Sequence, residues 1–196
     1  MRLDTVRSAR TFASAITSLV RVVEERDPYI AGHSRRVRAY ALHLAEALGL
    51  DRRQRKQLGL AAMLHDIGKV GIPDGILHKP ARLTAEEQSI IRSHPEVGER
   101  ILTPIVRSRA VLAAIRGHHE RLDGSGYPDS LAGEQVPLLA RLIAIPDCYD
   151  ALTSARAYRP ALPVREAFAI MEAGSGTQFD PVFLHMFLRI VPSLTV

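Results

Sequence analysis

Tryptophan is absent from this 196-residue chain, and aromatic residues make up only 5% of it. A core drawn from this inventory must be aliphatic, built from Ala, Leu, Ile and Val. There is one cysteine, Cys148, which excludes an intrachain disulfide, an iron–sulfur cluster held by thiolates and a structural zinc site of the Cys-rich kind. A chain with this cysteine usage is expected in a reducing cytoplasm. No run approaches the roughly 20 apolar residues that a membrane span needs. The N-terminal stretch MRLDTVRSARTFASAITSLVRVV lacks the long apolar region and cleavage site of a secretory signal. Lysine is scarce too: Lys56, Lys69 and Lys79 are the only three, so nearly all the positive charge is arginine. The net charge of +5 and pI near 9.8 fit a solvated surface or an anionic partner. Arginines cluster at Arg35, Arg36, Arg38 and at Arg52, Arg53, Arg55.

What is present is a helical period. Phe12, Ala15, Ile16, Leu19, Val20 and Val23 fall at i, i+3, i+4, i+7, i+8 and i+11, one stripe of an amphipathic helix. Val37, Tyr40, Ala41, Leu44, Ala45 and Leu48 mark a second helix that stops near Gly49. DRRQRKQLGLAAMLHDIG reads as a third, from an N-cap at Asp51 to Gly68. VGIPDGILHKPARL reads as loop. Thr84 with Glu87 is a capping box for a helix through about residue 92. PEVGERILTPI and VRSRAVLAAIRGHHE supply two more helices, and DGSGYPDSLAGEQVP is the longest irregular stretch. LLARLIAIPDCYDALTS reads as helix with a kink or a fresh start at Pro146, although Leu142–Ile145 alone fits a buried strand. VREAFAIMEAG and PVFLHMFLRIV close the chain. No segment alternates as a strand does, so the expected class is all-α. The expected division is a helical extension over 1–18 and one domain over 19–196.

Eight histidines are present. His43, His78 and His185 sit where surface or core filler is the plainer reading. The other five gather at element ends: His33 after Gly32, His65–Asp66 ahead of Ile-Gly-Lys69, His94 before Pro95, and His118–His119 before a glycine loop. Side chains at element ends can converge on one cleft, and a mixed imidazole–carboxylate set suits Fe, Mn, Co, Ni or Zn better than Mg or Ca. Neighbouring helical residues point about 100° apart. Either two metals each take one of His118 and His119, or the helix end unwinds to bring both to one ion.

LHDIGK (64–69) resembles the signature of the HD superfamily of metal-dependent phosphohydrolases. HHERLDGSGYP (118–128) resembles the extended motif of its HD-GYP branch, the cyclic di-GMP phosphodiesterases. DPYIAGHSRRV, IPDGIL, KPARLT, SHPEVG, PDCYDALTSARAYRP and GTQFDP look like further family blocks in family order, so the resemblance runs from about residue 19 to 190. It implies an HD-type helical bundle with extra C-terminal helices and a metal site where helix ends converge. It implies a dinuclear centre held by His65, Asp66, His94, His118, His119 and Asp147, with Asp66 bridging. The metals implied are two divalent ions, iron or manganese first. His33 matches a histidine that ligates metal in some members. Members with three metals carry a Glu four residues earlier, where this chain has Tyr29, so two metals are expected and His33 is held provisionally.

Lys69 and Asp66 match catalytic positions, Lys69 touching the substrate phosphate. Gly126, Tyr127 and Pro128 match the loop that names the branch, and Arg156 and Arg159 match positions that grip the nucleotide. The implied reaction is hydrolysis of cyclic di-GMP to pGpG, and then to GMP, by a hydroxide held between the metals. The alternatives are another cyclic dinucleotide or nucleotide, or a non-catalytic binding module. Implied partners are the cyclic dinucleotide and diguanylate cyclase domains at the GYP face. No DNA or RNA partner is expected, and a homodimer through the N-terminal helix is expected because its apolar stripe must be buried.

Overall fold

The structure, a computed structural model, describes residues 2–26, 31–155 and 160–194, without the side chains of 2–10, 12 and 13. Tyr29, Arg156 and Arg159 therefore lie outside the described residues, as does the side chain of Phe12 in the first stripe. Among those described, every regular element is helical, and β structure is limited to two isolated bridges. No described helix is long and apolar enough to cross a membrane.

The helices are α1 Arg2–Arg26, α2 His33–Ala47, α3 Arg52–Leu64, the single turn α4 Asp74–Leu77, α5 Ala85–Arg92, α6 His94–Leu102, α7 Arg109–Gly117, α8 Leu138–Thr153, α9 Val164–Ala173 and α10 Pro181–Ile190. Local chemistry sets many ends. Asp51 caps α3 and Thr84 caps α5, each in a reciprocal capping box with Gln54 and Glu87 respectively. Gly49, at φ 73°, turns the chain after α2. The third helix stops at Leu64, four residues short of Gly68, because His65 becomes its C-cap and residues 67–71 tighten into a 3₁₀ turn. The segment expected as loop after Val70 holds α4.

α8 runs unbroken through Pro146. Pro146 is thus neither a helix start nor the end of a strand at Leu142–Ile145. A mid-helix proline forfeits a backbone hydrogen bond. Burial around α8 offsets that loss: Leu139, Ala140, Leu142, Ile143, Ile145, Tyr149 and Leu152 are all buried.

α2, α3, α7 and α8 pack on one another as the centre of the bundle, with α6 on α7, α9 on α8 and α10 on α2. The core between them is aliphatic, joined by a small aromatic group in which Tyr40, Tyr149 and Phe187 meet edge to face. α1 lays Ile16, Val20 and Val23 into that core. Of the stripe, Ile16, Val20 and Val23 are buried within the chain, Leu19 is half-buried and Ala15 is exposed. Arg26, at the end of α1, reaches the carbonyls of Lys69, Val70 and Ile72 and the carboxylate of Asp74.

Candidate metal centre

Helix ends leave carbonyls without intrahelical partners, and three histidines exploit this in one way. His65 follows α3, His94 follows α5 and His118 follows α7. Their Nδ1 atoms lie 2.8, 2.8 and 2.7 Å from the carbonyls of Ala62, Ile91 and Ile115, each three residues back. A carbonyl oxygen only accepts, so each Nδ1 carries the proton. Each Nε2 is left with a lone pair, and all three turn inward. His33, at the start of α2, holds its Nδ1 2.7 Å from Asp150 Oδ2 and also turns Nε2 inward.

The inward atoms form two groups. His94, His118 and His119 bring ligand atoms within 4.8 Å of one another, as do His33, His65 and Asp66. Nε2 of His94 lies 3.2 Å from that of His118, and Nε2 of His33 lies 3.3 Å from that of His65. Asp66 stands between the groups, with Oδ1 3.4 Å from His94 Nε2 and Oδ2 3.5 Å from His65 Nε2. Asp147, from α8, places Oδ1 3.2 Å from His33 Nε2 and 3.8 Å from His65 Nε2. α7 ends at Gly117, ahead of both adjacent histidines. His118 and His119 therefore reach the same group, as an unwound helix end allows.

Electrostatics separates the two groups. Burial holds His94 down at about 3, only partly countered by Asp66, and burial with the neighbouring His119 drives His118 well below its usual value. Two neutral imidazoles thus face each other lone pair to lone pair, an arrangement that a cation relieves. Burial would also lower His33, but hydrogen bonds to Asp147 and Asp150 outweigh it and raise it to about 9. Burial opposes ionisation of Asp66 and Asp147. The Lys69 ammonium nevertheless holds Asp66 well below the usual carboxylate range, and the hydrogen bond from His33 does the same for Asp147. Buried imidazoles locked by a second hydrogen bond, beside ionised carboxylates, fit divalent transition metals.

Lys69 donates to Asp66 Oδ2 at 2.6 Å. Beside this centre opens a cleft of about 310 Å³ whose wall includes Arg92, Arg121, Tyr127, Asp147 and Gln178. Tyr127 stacks on His119, with centroids 4.9 Å apart, and burial raises its hydroxyl pKa. Gly126 and Pro128 flank that ring. A Cβ at Gly126 would meet Glu120 Cα and Arg121 N at 2.5 Å, so only glycine lets the loop lie this close. His43, His78 and His185 are exposed, the surface alternative of the two expected for them.

Three supports escaped the sequence reading. Asp150 holds His33 and is gripped by Nε and Nη2 of Arg36. Its i, i+3 spacing from Asp147 was the available signal, since such residues share a helix face. Glu120, buried, accepts from the backbone N–H groups of Asp129 and Leu131 and so docks the Gly126–Pro128 loop.

The family described as HD domain matches residues 17–183. The chain is 41% identical over 178 residues to the cyclic di-GMP phosphodiesterase response regulator RpfG of Xanthomonas campestris pv. campestris, covering 89% of this chain and 47% of that protein. It is 39% identical over 166 residues to 3'3'-cGAMP-specific phosphodiesterase 3 of Vibrio cholerae, covering 85% of this chain and 36% of that one. The crystal structure of the cyclic GMP-AMP specific phosphodiesterase V-cGAP3 of V. cholerae matches with a TM-score of 0.58 at 33% identity, over 92% of this chain and 41% of that chain. The chain thus spans less than half the length of these curated relatives.

Proposed function

Because the chain belongs to the HD domain family, in its HD-GYP branch, we propose that it is a metal-dependent phosphodiesterase that opens cyclic di-GMP to linear pGpG. The observation that carries this reading is the pair of donor groups with inward Nε2 atoms, bridged by Asp66 and set beside Lys69. His94, His118 and His119 would hold one divalent ion, and His33, His65 and Asp147 a second, with Asp66 shared. Iron and manganese suit this set of imidazole and carboxylate donors. When bound, such ions supply Lewis-acid polarisation of a phosphoryl oxygen and activation of water.

The chain's own residues do the rest. Asp66 anchors Lys69, whose compact positive charge stands where it can stabilise charge developing on a non-bridging phosphate oxygen. Asp150 keeps the His33 proton on Nδ1, so that Nε2 faces the site. Tyr127, stacked on His119, walls the cleft against water.

The test is metal analysis and cyclic di-GMP turnover on one anaerobically purified sample, with His118→Ala alongside. About two metals per chain, and pGpG formation lost in the variant, are expected. Metal-loaded protein with no turnover of cyclic di-GMP would overturn the reading. A second reading, hydrolysis of 3'3'-cyclic GMP–AMP, is favoured by the relative named for that substrate. It predicts faster turnover of the hybrid dinucleotide in the same assay.

A further inference from the structure

A cyclic dinucleotide carries two phosphodiesters in one ring. A site that cuts one must accommodate the negative charge of the other. Among the described residues of the cleft wall, Arg92 and Arg121 are the cations. Arg121 is committed: its Nε and Nη2 lie 3.2 and 2.9 Å from the Asp123 carboxylate, and Nε lies 2.8 Å from Ser125 Oγ. Lys69 is engaged with Asp66.

Arg92 differs. It ends α5 as an exposed residue two positions before His94, and no carboxylate pairs with it among the described residues. Its guanidinium lies over the Tyr127 ring, 5.3 Å from the centroid. A guanidinium has five N–H donors, more than one contact with a ring can occupy, so donors remain for an anion. Tyr127 in turn stacks on His119. The guanidinium is therefore registered against the metal-facing imidazoles through a single ring.

We infer that Arg92 is a substrate-binding residue that takes the phosphate not undergoing cleavage; this rests on the phosphodiesterase reading above. The guanidinium fork matches two phosphate oxygens. Arg92 thereby selects for a second phosphate rather than for a particular base.

The experiment compares Arg92→Met and Arg92→Lys with the unchanged, metal-loaded protein. Methionine keeps an apolar stem on Tyr127 and removes the charge. KM and kcat are measured with cyclic di-GMP, and Ki with cyclic di-AMP as competitor, which has the same phosphates and no guanine. Arg92→Met is expected to raise KM and Ki alike by about tenfold to a hundredfold, with kcat within about threefold. Arg92→Lys should recover part of the loss. Unchanged KM would overturn the inference, as would a fall in kcat alone, which marks mere support of Tyr127. A raised KM with unchanged Ki would make Arg92 a guanine contact and overturn the phosphate assignment. Failure of the unchanged protein to cut cyclic di-GMP would appear before any substitution and would remove the phosphodiesterase reading together with this inference.

Discussion

At the scale of single residues, the centre rests on which nitrogen of each imidazole holds its proton. Three backbone carbonyls and one carboxylate fix that choice. The consequence for the metal-free protein is a stability that falls on both sides of neutrality. His94 is held at about 3, below its unfolded value near 6.5. Its contribution is complete above 6.5 and is lost as pH drops toward 3, because only the unfolded chain takes up the proton. His33 is raised to about 9, so its contribution is complete below 6.5 and is lost as pH rises through 9. Melting temperatures of the chelated protein from pH 4.5 to 10 should peak near pH 6.5, within about one unit. His33→Asn should flatten the alkaline limb. A profile that keeps rising to pH 10 would contradict the pairing of His33 with Asp147 and Asp150. The residue types were legible in advance, since histidines at element ends invite a metal. Asp150 was not singled out, because a carboxylate that serves another side chain has no spacing signature stronger than a helix repeat.

At the scale of elements, the turn over 67–71 is pressed against the start of α6. A Cβ on Gly68 would lie inside the His94 carbonyl and 2.6 Å from the backbone nitrogen of Gly98. Backbone cannot step aside as a side-chain tip can. Gly68→Ala should therefore cost about 3 kcal/mol or more, read as a lower midpoint in denaturant. It should also displace His94 and weaken metal binding, so a stable variant with unchanged metal content would refute the claim. The N-cap at Asp51 and the capping box at Thr84 could be read from the chain because their partners lie three residues away. The end of α3 and the uninterrupted course of α8 could not. Both depend on contacts far along the chain, where burial overrides what a local glycine or proline prescribes.

At the scale of the whole molecule, the helical class, the convergence of helix ends and a bridging Asp66 were readable, while the division of the histidines between two groups was not. That division depends on how α2, α3, α7 and α8 cross. His33 meets His65 across 32 positions of sequence and Asp150 across 117, and His94 meets His118 across 24. Chelation of the metal-loaded protein should lower its melting temperature by about 5 °C or more, scaling with metal affinity, and readdition should restore it. An unchanged melting temperature after verified metal loss would show that the donors do not hold the metal.

On the two-ion reading proposed above, those sequence separations would give the ions a second role. An ion bound by His33, His65 and Asp147 ties an early helix to a late one, as a cross-link does. It narrows the conformations open to the unfolded chain only if the donors stay attached, and it closes loops whose entropic cost grows slowly with length. The chain must therefore complete most of its topology before the donors can meet. A cell short of the metal would then contain chains that are nearly folded yet unclasped, and their lifetime would track metal supply.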